Sequence, residues 1–399
     1  MSIQEVHVGM IIAHSPEASI RSLRRLLEWA VGEAGPILDR ASGWRWRFHY
    51  EGSTRLATDD ARHPSAFLGE GSLRMVEGPF DALLVLTDTG LLSERERIVP
   101  GLPSPLARMA VMSTRDLRTS PRGEPVRALS DEAVRWNAAT LLLHLMGHVA
   151  GLGHEDADGP DTVMAPFDVD PDRRSVPGFG ERSRDRLARL TARFPQRVDV
   201  DEGTLSEVAF HAASAARHPR QILSAVGPLR GLLLAFRLPR LATAAVAPAF
   251  ILVFTAEIWD AGFHMTGAEV WTFAIFSIIA SSVYLPTVLH LLLPRKQKTF
   301  QTEQLAVVNV VILISIALAV VGLFAMLVLL MLFTQIVVFP PDLVREWPSL
   351  ALGSTVITLS DQVRIAALIS TIGLLTGTLA GGLESRQVLR HMHLFSRSP

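Results

Sequence analysis

The sequence contains no cysteine. That excludes disulfides and thiolate metal ligands, and leaves His, Asp and Glu as the side chains able to hold a metal. It has no excess of charge of either sign: 38 Lys and Arg stand against 39 Asp and Glu, a formal net charge of -1. Nucleic acid is therefore not expected as a partner, and no charge block marks a solvating tail. The N-terminal stretch MSIQEVHVGMIIAHSPEAS has no basic flank, and His7 and Gly9 interrupt its short apolar run, so it does not read as a signal peptide. The first domain is accordingly expected to stay in the cytoplasm, a reducing compartment that suits a chain without cysteine.

What is present falls into two unlike halves. A mean hydropathy of +0.30 coexists with 19% charged residues because the charge lies mostly in the first half, while long apolar stretches dominate beyond Leu241. Four of these stretches are long enough to cross a hydrocarbon core, which takes about 20 helical residues: 241–259, 270–293, 305–339 and 365–383. The third is long for a single span and is expected as one tilted or protruding helix, with a split near Gly322 as the alternative. Basic residues set the expected orientation. Arg217, Arg220, Arg230, Arg237 and Arg240 precede the first stretch, Arg295, Lys296 and Lys298 follow the second, and Arg386, Arg390 and Arg397 lie in the tail. The other two loops carry Asp260, Glu269, Asp342, Glu346 and Asp361. Four spans of a cytoplasmic (inner) membrane, with the N-terminal domain and C-terminus both cytoplasmic, satisfy this pattern. Few ionisable residues fall inside the stretches and no internal repeat is evident, so the spans carry little sign of a transport path.

Residues 1–195 read as an ordinary-sized α/β or α+β domain. VHVGMII, WRWRFHY, DALLVLTD and ARMAVMS have the composition of strands, and Pro16 to Ala34, Asp131 to Ala150 and Glu181 to Arg193 that of helices. Ser130 is the expected cap of the second helix, with Asp131 and Glu132 suited to the positive end of its dipole. Residues 196–240 form an Arg-rich juxtamembrane segment, either a linker or an amphipathic stretch on anionic headgroups.

The chemistry lies in HLMGHVAGLGHE, residues 144–155. His144 and His148, four apart on the expected helix, project from one face, where two imidazoles can grip one ion. Gly151 and Gly153 then allow the chain to leave the helix and bring back His154 as a third ligand. Three neutral imidazoles plus a water make an open zinc site. A single zinc ion is the expected cofactor.

The segment resembles the metzincin motif H-E-x-x-H-x-x-G-x-x-H followed by a Met-turn. His144, His148, Gly151 and His154 match its ligand and turn positions, and residues 161–166, DTVMAP, resemble the Met-turn, with Met164 as its methionine. GHVAGLGHED with VMAP is similar to matrixin sequences. LTDTGL and SPLARMAVMSTRDL are similar to the strand, loop and substrate-side edge strand of archaemetzincins. The likeness is good over about residues 80 to 170 and loose over Val6 to Arg193. It implies a metzincin-like zincin fold and a polypeptide substrate or peptide ligand.

The departure falls on catalysis. Metzincins carry Glu directly after the first His, where it takes a proton from the zinc-bound water and passes it to the leaving amine; here the residue is Leu145. Glu155 and Asp156 follow the third His and stand near the expected ion, Glu155 being the candidate substitute, although in the families that carry Glu there its role is structural. Glu132, twelve residues before His144 and roughly 18 Å along a helix, is too distant. The Tyr after the Met-turn and the cysteines of a second archaemetzincin zinc site are also missing. Two readings stand: a membrane-anchored zinc-binding protein with a catalytically impaired or non-catalytic peptidase-like domain, or an active membrane-bound metallopeptidase using another base. A transporter or channel regulated by the zinc domain is a third, weaker one.

Overall fold

The computed structural model describes residues 4–67, 80–93, 97–119, 126–154, 162–192, 197–199, parts of 209–226, 239–288, 300–340 and 357–379. The chain divides into two compact units, one built on Met1–His218 with Leu293–Val308, the other on Pro219–Leu292 and Asn309–Arg386.

The first unit is a mixed sheet with helices. Its elements are β1 (Glu5–His14), α1 (Ile20–Ser42), β2 (Arg45–Arg55), β3 (Ala82–Thr87), β4 (Leu91–Leu92), β5 (Ile98–Val99), β6 (Gly101–Ser104), β7 (Met109–Ser113), α2 (Arg115–Arg118), α3 (Glu132–Val149), α4 (Glu181–Thr191) and β8 (Arg197–Asp199). The main sheet has the order β2-β1-β3-β7-β6. β1, β2, β3 and β7 run parallel and β6 pairs antiparallel with β7 at one edge. Parallel strands buried on both faces read as unbroken apolar runs, and every residue of β3 and β7 is buried. On one face Val8, Met10, Ile12, Leu84, Leu86, Ala110 and Met112 join a core with α1 and α3. The two helices also meet through Trp29 and Trp136, edge to face with ring centroids 4.9 Å apart.

The helix that carries the histidines begins one residue later than expected. Asp131, not Ser130, is its cap, its carboxylate accepting from Ala133 N (2.9 Å) and Val134 N (3.4 Å). Helix α1 runs to Ser42, beyond the expected end at Ala34, and closes on Gly43, whose φ of +73° suits a residue without a Cβ. β6 has no counterpart in the sequence reading. Pro103 lacks the N–H a central strand needs, which an edge strand tolerates.

The second unit contains α5 (Pro219–Val226), α6 (Pro239–Val253), α7 (Ala256–His264), α8 (Gly267–Val288), the main length of α9 (Glu303–Phe333, continued by a π-helical turn at Thr334–Val338) and α10 (Leu359–Leu379). A short strand, β9 (Phe300–Thr302), belongs to the first unit, where it pairs antiparallel with β8. Among the described residues, three helices are long and apolar enough to cross a membrane, Gly267–Val288, Ala306–Val338 and Leu359–Leu379, and a fourth if the bent pair Leu241–Val253 and Ala256–His264 counts as one span. That pair turns through 87° at Phe254 and Thr255, inside the stretch expected as the first span. Trp259 covers the broken end, its indole N–H donating to Val253 O at 2.9 Å. By contrast α9 passes unbroken through Gly322. Residues 289–293 and 380–383, at the ends of two expected spans, and most of the juxtamembrane segment lie outside the described residues.

Small residues let α6 and α10 approach closely. A Cβ on Gly373 would stand 2.8 Å from Ala245 O, and one on Gly377 2.6 Å from Ala245 Cβ. Gly373 also faces Ala249, so the two helices run antiparallel. Between α8 and α10, Gly267 lies against Arg364 and Ser281 Oγ donates to Thr378 Oγ1, the same sequence offset at both places, so these two are parallel.

A candidate metal centre of three histidines

His144 and His148 lie one turn apart on α3, 3% and 6% exposed. Each is fixed by a backbone carbonyl: His144 Nδ1 lies 2.7 Å from Val163 O and His148 Nδ1 2.8 Å from Leu152 O. A carbonyl only accepts, so both Nδ1 atoms carry the proton and both Nε2 atoms present lone pairs. Burial holds the rings neutral, lowering the His144 pKa to about 4 and that of His148 to about 3, with the neighbouring histidines pushing the same way.

The helix ends so as to bring in the third ring. Leu152 N returns to Gly147 O (3.0 Å) and Gly151 N to His148 O (2.9 Å), around a φ of +101° at Gly151. Of the two glycines expected to allow this reversal, Gly151 adopts the left-handed conformation. A Cβ on Gly153 would meet nothing, and its φ is not of that kind. The return places the half-buried His154 with Nε2 3.1 Å from that of His148 and 3.3 Å from that of His144, which are themselves 3.0 Å apart.

The lone pairs of His144 and His148, facing each other at 3.0 Å with His154 Nε2 completing the triangle, are relieved of their mutual repulsion by a cation between them. The spacing also fits one: zinc–nitrogen bonds of about 2.05 Å in a tetrahedron put neighbouring nitrogens about 3.3 Å apart. Among the described residues this is the one group of three His, Asp or Glu side chains that could hold a metal. The donor set and spacing are those of a zinc site with its fourth position left for water or a ligand.

Met164 lies beneath, fully buried, in a turn closed by Ala165 N to Thr162 O (3.1 Å) and tied down by Val163 N to Gly178 O (2.9 Å). It packs on the helix at Gly147, where a Cβ would come within 2.5 Å of Met164 Sδ and 3.2 Å of Phe179 Cε1. Gly147, between two ligands, had no meaning in the sequence reading. Asn137 was also missed. Only 1% exposed, its amide donates to Ala133 O (2.9 Å) and Asp170 O (2.6 Å), and its Oδ1 accepts from Asp170 N (3.1 Å) and Arg173 Nε (3.0 Å). It thereby moors residues 168–173 to α3. Just before that loop, the Phe167 ring lies 6.2 Å from the His144 ring.

At the position of the metzincin base, Leu145 is 1% exposed and belongs to the core. It points at the edge strand: a Cβ on Gly101 would lie 2.8 Å from Leu145 Cδ1. Glu132 sits in the first turn of α3 and is remote from the rings. Glu155 lies outside the described residues.

No protein-family model matches the chain, and no curated protein matches it either. Solved structures do. An archaemetzincin from Methanopyrus kandleri is 21% identical, with 46% of this chain and 96% of that one covered at a TM-score of 0.34. A zinc-dependent peptidase from Methanocorpusculum labreanum is 17% identical, covering 45% and 99% at 0.32. An archaemetzincin from Archaeoglobus fulgidus, complexed with malonate, is 16% identical, covering 44% and 99% at 0.29.

Proposed function

We propose that this chain is a membrane-embedded zinc-binding protein whose peptidase-like domain holds zinc through His144, His148 and His154 and works as a binding or sensing module, not as an efficient hydrolase. One contrast carries the reading. The three imidazoles keep a zinc spacing with both Nδ1 atoms of the helical pair tied to carbonyls, while the neighbouring base position holds a leucine packed against Gly101. Zinc bound there supplies a Lewis acid and acidifies a bound water. The protein's part is to orient the rings, bury them and support them with Met164. Leu145 can neither take nor return a proton, and loss of a positioned acid or base costs about 10² to 10⁴ in rate.

The test compares the full chain with Leu145→Glu for zinc content and for chelator-sensitive cleavage of an unfolded protein. Zinc in both, with cleavage only in the variant, supports the reading. Chelator-sensitive cleavage by the unmodified protein, abolished in His148→Ala, overturns it in favour of a peptidase with another base.

The membrane half of the proposal is four crossings of the cytoplasmic membrane, with the metal domain and C-terminus cytoplasmic. The helix directions support it, since α8 and α10 are parallel and α6 is antiparallel to α10, as alternating crossings require. A row of exposed apolar side chains along α8, Trp271, Ile275, Ile279 and Val283, is suited to lipid. Because the chain has no cysteine, single cysteines introduced at His264 and at Lys298 can be labelled with an impermeant maleimide in intact cells. Labelling at Lys298 without labelling at His264 would refute the orientation.

A further inference from the structure

Two departures from regular helix in the second unit lie together. The bent pair α6 and α7 breaks at Phe254 and Thr255, and α9 ends in the π-helical turn Thr334–Val338. Phe339, directly after that turn, sets its ring 5.2 Å from that of Phe254 and 6.2 Å from that of Trp259. Single π-helical turns are rare and frequently mark functional sites. Broken helices within an apolar bundle are tolerated where the freed polar groups find other partners.

Buried polar groups gather at this corner. Gln335 lies one turn before Phe339 on the same side of the helix and is 1% exposed; among the described residues neither its amide oxygen nor its amide nitrogen has a hydrogen-bond partner. Its main-chain carbonyl is also short of a helical donor, because Phe339 N donates to Thr334 O at 3.1 Å and Pro340 has no N–H. On α10 the stripe that meets α6 runs Gly377, Gly373, Ser370. Gly377 lies on Ala245, and Gly373 on Ala245 and Ala249, so Ser370 stands level with the last turn of α6, beside the break. Ser370 is fully buried, and its hydroxyl likewise has no hydrogen-bond partner among the described residues.

The electrostatics select the ligand. α6 and α9 both bring their C-terminal ends to this corner, each equivalent to roughly half a negative charge. The positive end of α7 also begins here, with Glu257 in its first turn to offset it. Arg364, six residues before Ser370 on α10, is engaged by Asp361 and by Met265 O at 3.0 Å. Two C-terminal helix ends sum to about one negative charge, which a monovalent cation balances and a divalent ion exceeds. We propose that this corner binds a small monovalent cation, sodium or potassium, through the side-chain and main-chain oxygens of Gln335 and the hydroxyl of Ser370. Uncharged oxygens at interrupted helices are the usual ligands for such ions inside membranes. The site is built wholly from the second unit and is independent of the zinc-binding reading.

The test uses the full chain in detergent, its melting temperature followed at constant ionic strength while N-methylglucamine chloride is replaced by sodium or potassium chloride. Sodium, potassium or both are expected to raise the melting temperature saturably by several degrees, and magnesium chloride is not. Gln335→Leu keeps the side-chain volume and removes the unpaired amide. It is expected to melt at least as high as the original in N-methylglucamine and to lose most of the response to the cation. Ser370→Ala is expected to raise the half-saturating concentration several-fold, and it decides alone should Gln335→Leu fail to fold. A melting temperature indifferent to sodium and potassium, a larger response to magnesium, or a response unchanged by the substitutions overturns the inference. His148→Ala should keep the cation response, so a failure of the zinc-binding reading leaves this test standing.

Discussion

Replacing Gly147 by alanine adds one methyl group between two of the three histidines. In a helix interior that exchange by itself stabilises by about 1 kcal/mol. Here the new carbon would lie 2.5 Å from Met164 Sδ, 3.3 Å from Met164 Cε and 3.2 Å from Phe179 Cε1. Contacts between such atoms settle at roughly 3.5–4.0 Å, so the thioether must move by about 1 Å. Met164 is fully buried and crowded at two successive atoms, which leaves it little room to turn aside. Overpacking of this kind costs about 1–3 kcal/mol, which cancels or exceeds the propensity gain. The larger effect falls on the metal. Val163, the neighbour of Met164, supplies the carbonyl that holds His144 Nδ1 at 2.7 Å. Disturbing such an outer partner typically lowers metal affinity by about 10- to 100-fold. Zinc affinity measured by competition with a chromophoric chelator should therefore fall by an order of magnitude, while the metal-free protein melts within a few degrees of the original. Gly153→Ala is the control, since its methyl group meets nothing within 4 Å. If Gly147→Ala bound zinc undiminished and its metal-free form melted higher, the thioether would not be constrained as described.

Asn137→Ala removes an amide with four hydrogen bonds and leaves Asp170 and Arg173 short of partners; a loss of about 2–4 kcal/mol and a lower melting temperature are expected, and an unchanged melt would count against the mooring role. In chelator-stripped protein His144 and His148 stay neutral while folded, whereas unfolded histidines take up protons below about pH 6.5. Their folded pKa values of about 4 and about 3 therefore make stability full above pH 6.5 and progressively lost as the pH falls towards 3; a melting temperature that does not fall between pH 6.5 and 4 would contradict this. In the second unit, a Cβ on Gly377 meets backbone of Ala245 at 2.9 and 3.0 Å, which cannot yield as a side chain can. Gly377→Ala should lower the melting temperature in detergent, and Gly267→Ala, whose nearest neighbour is Arg364 Cδ at 3.9 Å, should not.

What could be read from the sequence was what depends on local pattern. The i, i+4 histidines, the glycine exit at Gly151 and the third histidine are adjacent in the chain, and the structure brings their three Nε2 atoms together. The strands β1, β2, β3 and β7 are long or wholly apolar and were visible as such. Partners distant in sequence were not visible. Nothing near Asn137 announces the loop 33 to 36 residues away that it holds, and Gly147 has meaning only beside Met164. The short edge strand β6 carries Pro103, which argues against a strand to any local reading. Hydropathy along 241–259 is continuous across Phe254 and Thr255, so the turn of 87° leaves no mark in it.

All three histidines, and the two carbonyls that orient the helical pair, fall between His144 and Val163, and the main sheet and its covering helices are complete by Thr191. The first apolar helix begins at Pro239. Synthesis runs from the N-terminus, so the centre can be assembled and loaded with metal by a nascent chain that has not yet made any of its apolar helices.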